Sequence, residues 1–164
     1  MLPAKIVQFL DQHANQGLAG IRDRDLRPSG CRVSAWRLAP DGHTLTAFIP
    51  MPERFQQEFL DALSDNGQIA VTIGERQSHE TYQLKGTYLR HRMATPDDLP
   101  LVRRNRERFL KAIRAEIPPG LDPEPLLAQI LPDPTFVVEL DVREVYVQTP
   151  GPGAGARLHP PPDA

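Results

Sequence analysis

Cysteine is almost missing from this chain, which has one, Cys31, in 164 residues. A single thiol cannot form an internal disulfide, and it cannot build a thiolate zinc centre, which needs several cysteines. The 5 histidines also lack the short spacing of metal ligands, since even His79 and His91, on one predicted strand, are too far apart to share an ion. The sequence therefore predicts no metal site, and it fits a reducing compartment.

Long apolar runs are missing as well. No segment approaches the roughly 20 residues that a membrane-spanning helix requires. The amino-terminal segment MLPAKIVQFLDQHAN lacks the continuous apolar stretch of a secretory signal. These absences predict a cytoplasmic protein without membrane contact. The composition, 40% hydrophobic and 24% charged, is typical of a single globular domain at this length.

The chain has no excess of charge of one sign, because 19 basic and 21 acidic residues leave a formal net charge of -2. No overall field therefore attracts nucleic acid. The one basic run, between Arg103 and Arg114, is interrupted by Glu107 and has no aromatic platform beside it. We interpret this run as a solvated helix face and expect no nucleic-acid partner.

Glycine-rich phosphate loops are also missing. Gly151, Gly153 and Gly155 follow a predicted strand, but they precede no helix, which the dinucleotide-binding motif requires. The chain has no repeated βα unit either. An antiparallel sheet is therefore favoured over a doubly wound parallel one.

Alternation of apolar and polar residues predicts strands in six segments. Along TYQLKGTYL, for example, a polar face alternates with an apolar one. The last segment changes parity between Val142 and Val145, which predicts a β-bulge near Arg143 or Glu144. The six segments are residues 17–22, 31–38, 44–49, 69–73, 79–91 and 135–148.

Helical spacing of apolar residues predicts a short helix over residues 1–15, lying across the barrel, and another over 53–64. The start signal Thr95-Pro96 begins a third helix, and residues 124–131 form a fourth. The last two predict an α-hairpin insert at about 95–131, before the final strand. The fold class is thus mainly β with helices (α+β), a six-stranded antiparallel barrel over residues 1–155, with a flexible tail over 156–164.

Three segments, DLRPSGCRVSAW, HETYQLKGTYLRH and VYVQTPGPGAG, follow one another in an order found in a known family. Together they resemble the pyridoxamine 5'-phosphate oxidase-like split barrels, over residues 16–155. The resemblance implies a split barrel that works as a homodimer and holds FMN between its protomers. It also implies a flavin-dependent oxidoreductase that transfers hydride to a small-molecule acceptor.

The resemblance further implies which residues contact the cofactor. Arg32 and Ser34 match the phosphate-side strand, and on a regular strand they share one face, where a guanidinium and a hydroxyl can bind phosphate. Ile49 matches the strand along the isoalloxazine ring, and Arg54 matches a segment with further phosphate contacts. The set is completed by three residues on one face of the cofactor-lining strand: Thr81, Gln83 and Lys85.

Two departures from the family leave alternatives open. The Arg-Lys pair that its best-known oxidases carry after the third strand is replaced by Pro52-Glu53-Arg54, and their carboxy-terminal Trp and Arg signature is not recognisable. Oxidation of vitamin B6 is therefore not expected. The alternatives are a non-catalytic dimer that binds or senses flavin, or binds nothing, and the same fold with the deazaflavin F420 or haem. No side chain stands out as a catalytic acid or base.

Overall fold

The computed structural model describes residues 1–159, which fold as one curled antiparallel sheet with helices packed around it. The strands are β1 (Gln16–Arg22), β2 (Pro28–Val33), β3 (Ala35–Leu38), β4 (Thr44–Ile49), β5 (Gln68–Gly74), β6 (Thr81–Met93), β7 (Phe136–Val147) and β8 (Arg157–His159). The α-helices are α1 (Ala4–Gln8), α2 (Glu53–Asn66), α3 (Leu99–Ile113) and α4 (Glu124–Ile130). No helix in this range is long and apolar enough to cross a membrane.

The strands lie in the order β2-β1-β5-β6-β7-β4-β3, with β8 added to β7. All neighbouring pairs are antiparallel. The strands at the two ends of this order, β2 and β3, follow each other in the chain and are joined at Ser34. The predicted α+β class and the antiparallel barrel-like sheet are therefore confirmed.

The predicted count of six strands is wrong. The segment 31–38 is two strands, because the chain changes its pairing partner at Ser34: β2 pairs with β1, whereas β3 pairs with β4. The Ser34 amide donates to the carbonyl of Phe48 on β4 at 2.8 Å. The end of the chain also differs from the prediction, since Arg157–His159 pairs with β7 as β8. Residues 160–164 of the predicted tail lie outside the described range.

The predicted β-bulge in β7 is confirmed. Lys85 is opposite Glu144 and Gly86 is opposite Val142, so Arg143 is the extra residue. The backbones approach closely here, because a Cβ on Gly86 would lie 2.2 Å from the carbonyl oxygen of Asp141. Only glycine fits opposite the bulge without moving the backbone.

The main core fills the inside of the curled sheet. The predicted amino-terminal helix is present as α1 and one π-helical turn, Phe9–His13, and it covers one end of this core. Phe9 packs edge-on against Tyr82 with ring centroids 4.9 Å apart. Trp36 donates its indole N–H to the Leu10 carbonyl at 3.0 Å. These contacts attach the amino terminus to the sheet.

The predicted α-hairpin, formed by α3 and α4, lies before β7. Its helices share a small separate core of Phe109, Ile113, Leu127 and Leu131. A 3-10 turn, Pro96–Asp98, leads into α3, and a capping box joins Thr95 to Asp98. Both Asp98 oxygens also accept hydrogen bonds from the Arg92 guanidinium at 2.7 Å.

Candidate functional site

One face of the sheet points away from the core, and it carries most of the predicted site. It consists of alternate residues of β2, β1, β5 and β6, while the intervening residues, such as Val71 and Leu84, are fully buried. Because cross-strand partners point to the same side, the register defines two rows on this face. The first row is Arg32, Leu18, Thr72 and Gln83; the second is Gly30, Gly20, Ala70 and Lys85.

These rows line two adjoining grooves. The first, of about 700 Å³, is lined by three of the predicted residues, Arg32, Thr81 and Gln83. The second, of about 580 Å³, is lined by Lys85. Both include Gly20 and Ala70 in their lining, so they are continuous across the sheet. The structure therefore brings four of the seven predicted residues onto one surface, which we call the outer groove.

The second row of the outer groove is flat because its central side chains are small. Gly30, Gly20 and Ala70 lie side by side on three neighbouring strands. A Cβ on Gly20 would have no atom within 4 Å, so the space above the strand is open. A planar group can approach the backbone closely on such a floor.

Unpaired positive charge lies at both ends of this floor. Arg32 and Lys85 are exposed, and neither forms a salt bridge with a carboxylate in the described range. The Lys85 ammonium lies 4.6 Å from the centroid of the Tyr146 ring. The Gln83 amide donates to the Thr72 hydroxyl at 3.3 Å. The outer groove therefore offers hydrogen-bond donors and two cations to an anionic ligand.

Ser34 and Ile49 do not reach the outer groove, because both side chains are fully buried. The Ser34 hydroxyl donates to the Pro132 carbonyl at 2.5 Å. The expectation that Arg32 and Ser34 share a face is wrong, since β2 ends at Val33 and the chain turns there. Ile49 lies on β4 within the main core.

Arg54 is also separate from the outer groove. It lies in the first turn of α2, with its guanidinium 4.7 Å from the centroid of the Phe55 ring. The groove of about 560 Å³ that it lines contains several carboxylates, among them Glu58 and Asp61. The carboxylates of this groove outnumber its arginines, which disfavours a phosphate beside Arg54.

Cys31 has no reactive thiol. Burial raises the pKa of this thiol to about 12, so it stays protonated near neutral pH. It therefore offers no nucleophile at the edge of the outer groove. Within residues 1–159, no three side chains of His, Cys, Asp or Glu form a group that could hold a metal ion.

Several residues of the outer groove were not predicted. Gly20, Ala70 and Thr72 lie on strands that were predicted, whereas Gly30 precedes the predicted segment 31–38 and belongs to β2. The pairing of β1 with β5 joins segments about fifty residues apart. No local sequence pattern predicts that pairing. On β1 itself, Gly20 is the one small residue on the outer face, between Leu18 and Arg22.

Comparison with models of protein families found no match, and a search of curated proteins found none either. Solved structures do match. HupZ from Group A Streptococcus superposes with a TM-score of 0.53, covering 95% of this chain and 99% of that chain at 15% identity. The chain has the split-barrel fold.

Other solved structures that match belong to the same fold group. One is a Lactobacillus delbrueckii protein provisionally described as a pyridoxamine 5'-phosphate oxidase, with a TM-score of 0.48, 16% identity, and coverage of 88% of this chain and 93% of that chain. Another is an FMN-binding protein from Syntrophomonas wolfei, with a TM-score of 0.44, 8% identity, and coverage of 85% and 81%. At the level of the fold, it is the superposition on HupZ that confirms the predicted split barrel.

Proposed function

We propose that this protein binds FMN in the outer groove and acts as an FMN-dependent oxidoreductase on a small-molecule acceptor. The observation that carries the proposal is the pair of exposed cations, Arg32 and Lys85, without carboxylate partners in the described range, at opposite ends of a flat floor of small residues. A phosphate and a planar ring are the two recognition elements of FMN, and each has a matching feature here.

The spacing of the two cations supports the fit. Arg32 and Lys85 lie three strands apart and two residues apart along the strands. Strand spacing of about 4.8 Å and a rise of about 3.3 Å per residue give roughly 16 Å between their backbones, which sheet curvature shortens. This distance is comparable with the length of an extended FMN molecule.

Each residue has a defined role in this arrangement. The Arg32 guanidinium binds the phosphate with paired N–H donors, while Thr81 and Gln83 offer further hydrogen bonds. Lys85 places positive charge beside the ring, where it stabilises the reduced form. When bound, FMN supplies a two-electron carrier that accepts a hydride from a nicotinamide donor and returns one to the acceptor, which takes its proton from water. No side chain is assigned as acid or base.

We also propose that the protein is a homodimer whose second protomer covers the outer groove. The groove is open on one side, and Leu18 is 57% exposed in the middle of it. Removing such a side chain and a bound flavin from water together favours association. Sedimentation velocity on the FMN-loaded protein should give a dimer, and a monomer that retains FMN would contradict this part of the proposal.

The oxidoreductase activity is tested by anaerobic reduction of the FMN-loaded protein with NADH and then NADPH. The proposal predicts that one donor bleaches the flavin within seconds and that oxidised acceptors restore the colour. A flavin that stays oxidised with both donors, yet is reduced by dithionite, would favour the non-catalytic alternative. A protein that instead carries a deazaflavin or haem would keep the fold and contradict the proposed cofactor.

A further inference from the structure

The second groove of the outer face, of about 580 Å³, contains cationic side chains that have no role in the proposed FMN site. Three cations line it, Arg22, Lys85 and Arg143, together with one carboxylate, Glu144. We call it the anion groove. It shares Gly20 and Ala70 with the flat floor, so a ligand in it would lie beside a planar group bound on that floor.

Arg143 reaches the anion groove because of the β-bulge. As the extra residue between Val142 and Glu144, it has no partner on β6. A bulge redirects a side chain that regular pairing would place on the other face. The Arg143 side chain is 69% exposed, and its guanidinium contacts Asp141 at 2.5 Å. The close approach at Gly86 maintains this geometry.

Two carboxylates, Asp141 and Glu144, lie near these three cations. Asp141 contacts Arg143 and also His43, whose Nδ1 lies 3.0 Å away. Glu144 accepts a hydrogen bond from the Tyr146 hydroxyl at 3.1 Å. Arg22 donates only to the Gln68 side chain, at 3.3 Å, and has no carboxylate partner in the described part of the chain. Three cations and the two carboxylates Asp141 and Glu144 leave one net positive charge, and Arg22 and Lys85 form no salt bridge in the described residues.

One end of the groove is apolar. Leu26 is 67% exposed and, with Pro28, lines the groove from the hairpin between β1 and β2. Its φ of 64° is in the left-handed region, which costs a bulky residue about 1–3 kcal/mol. A hydrogen bond from its amide to the Asp23 carbonyl at 3.1 Å closes the turn. An exposed leucine held in this conformation provides an apolar contact surface near Arg22, which is paired with Pro28 across β1 and β2.

We propose that the anion groove binds the acceptor, and that the acceptor is a small carboxylate with an apolar body. The carboxylate pairs with Arg22 and Arg143, and the apolar part packs against Leu26. This inference rests on the proposed function only in assigning the ligand as the acceptor of an FMN-bound protein. Binding of the carboxylate itself does not require the flavin.

The probe is benzoate, with benzyl alcohol as its uncharged counterpart, titrated by calorimetry into the FMN-loaded and the cofactor-free protein. Arg143→Gln and Arg22→Gln remove one cation each and keep a hydrogen-bonding side chain. Each is expected to weaken benzoate binding at least fivefold, to change benzyl alcohol binding less than twofold and to leave FMN affinity unchanged. Arg103→Gln on α3 is the matched control, since Arg103 is an exposed cation away from the groove.

The outcomes separate this inference from the proposed function. If Arg143→Gln binds benzoate as well as Arg103→Gln does, the anion groove is refuted. If Arg143→Gln instead weakens FMN tenfold, the groove holds the cofactor phosphate and the acceptor assignment is overturned. If the wild-type protein binds no FMN but Arg143→Gln still loses benzoate, the proposed function fails and the anion groove stands. Circular dichroism of each variant checks that it is folded.

Discussion

A larger side chain on the floor of the outer groove should weaken FMN binding without lowering the free energy of unfolding. In Gly20→Val, the new Cβ has no atom within 4 Å, and the φ of Gly20 is not in the left-handed region. Valine is favoured over glycine in a strand, so the free energy of unfolding of the variant should be equal to that of the wild type or higher by up to about 1 kcal/mol. The same branched side chain occupies the space that the planar ring needs.

The expected loss of FMN affinity is at least tenfold, or about 1.4 kcal/mol. Titration with FMN measures the affinity, because the fluorescence of the flavin changes on binding. Urea denaturation measures the free energy of unfolding. Gly153→Val is the control, since a Cβ there also meets nothing within 4 Å but the residue lies outside both grooves. A Gly20→Val protein that binds FMN like the control would refute a ring bound on this floor.

Three further predictions follow from single contacts. Arg32→Ala combined with Lys85→Ala should weaken FMN at least tenfold, whereas Arg37→Ala combined with Arg103→Ala should not; equal affinities would remove both cations from the site. Gly86→Ala should lose about 2–3 kcal/mol of unfolding free energy, because its Cβ would lie 2.2 Å from the Asp141 carbonyl oxygen; wild-type stability in urea would contradict the close approach. Hydrogen bonds from Arg92 hold the pKa of Asp98 at about 2, below its usual 3.8, so Asp98→Asn should cost about 2 kcal/mol at pH 7. Because the pKa of Asp98 is lower in the folded protein, its ionised form stabilises the fold at pH values above the pKa of the unfolded chain. The difference in free energy of unfolding between wild type and Asp98→Asn should therefore shrink as the pH falls from about 4 towards about 2. A difference that stays constant with pH would refute stabilisation by the ionised Asp98.

Local features of the sequence predicted the elements well. The parity change between Val142 and Val145 located the bulge, because alternation must slip by one residue there. The helix predicted over residues 53–64 is present as α2, which is capped by Gly67 with a φ of 66°. The shared face of Thr81, Gln83 and Lys85 follows from the period of two along a strand.

Features that depend on distant pairing were not predictable. The break at Ser34 arises because one segment pairs with two different strands, and its sequence, CRVSAWRL, alternates as one strand would. Ile49 was assigned to a cofactor-lining surface, but β4 is buried on both faces, one by the main core and the other by α3 through Val102 and Phe48. Alternation carries no signal for such a strand.

The absorption spectrum of the freshly purified protein, followed by identification of any released chromophore, tests the central claim most directly. The proposal predicts flavin absorption and release of FMN on heat denaturation, or stoichiometric uptake of added FMN by a protein purified without it. A colourless protein that fails to take up FMN, or one that releases a deazaflavin or haem, would contradict FMN binding in the outer groove.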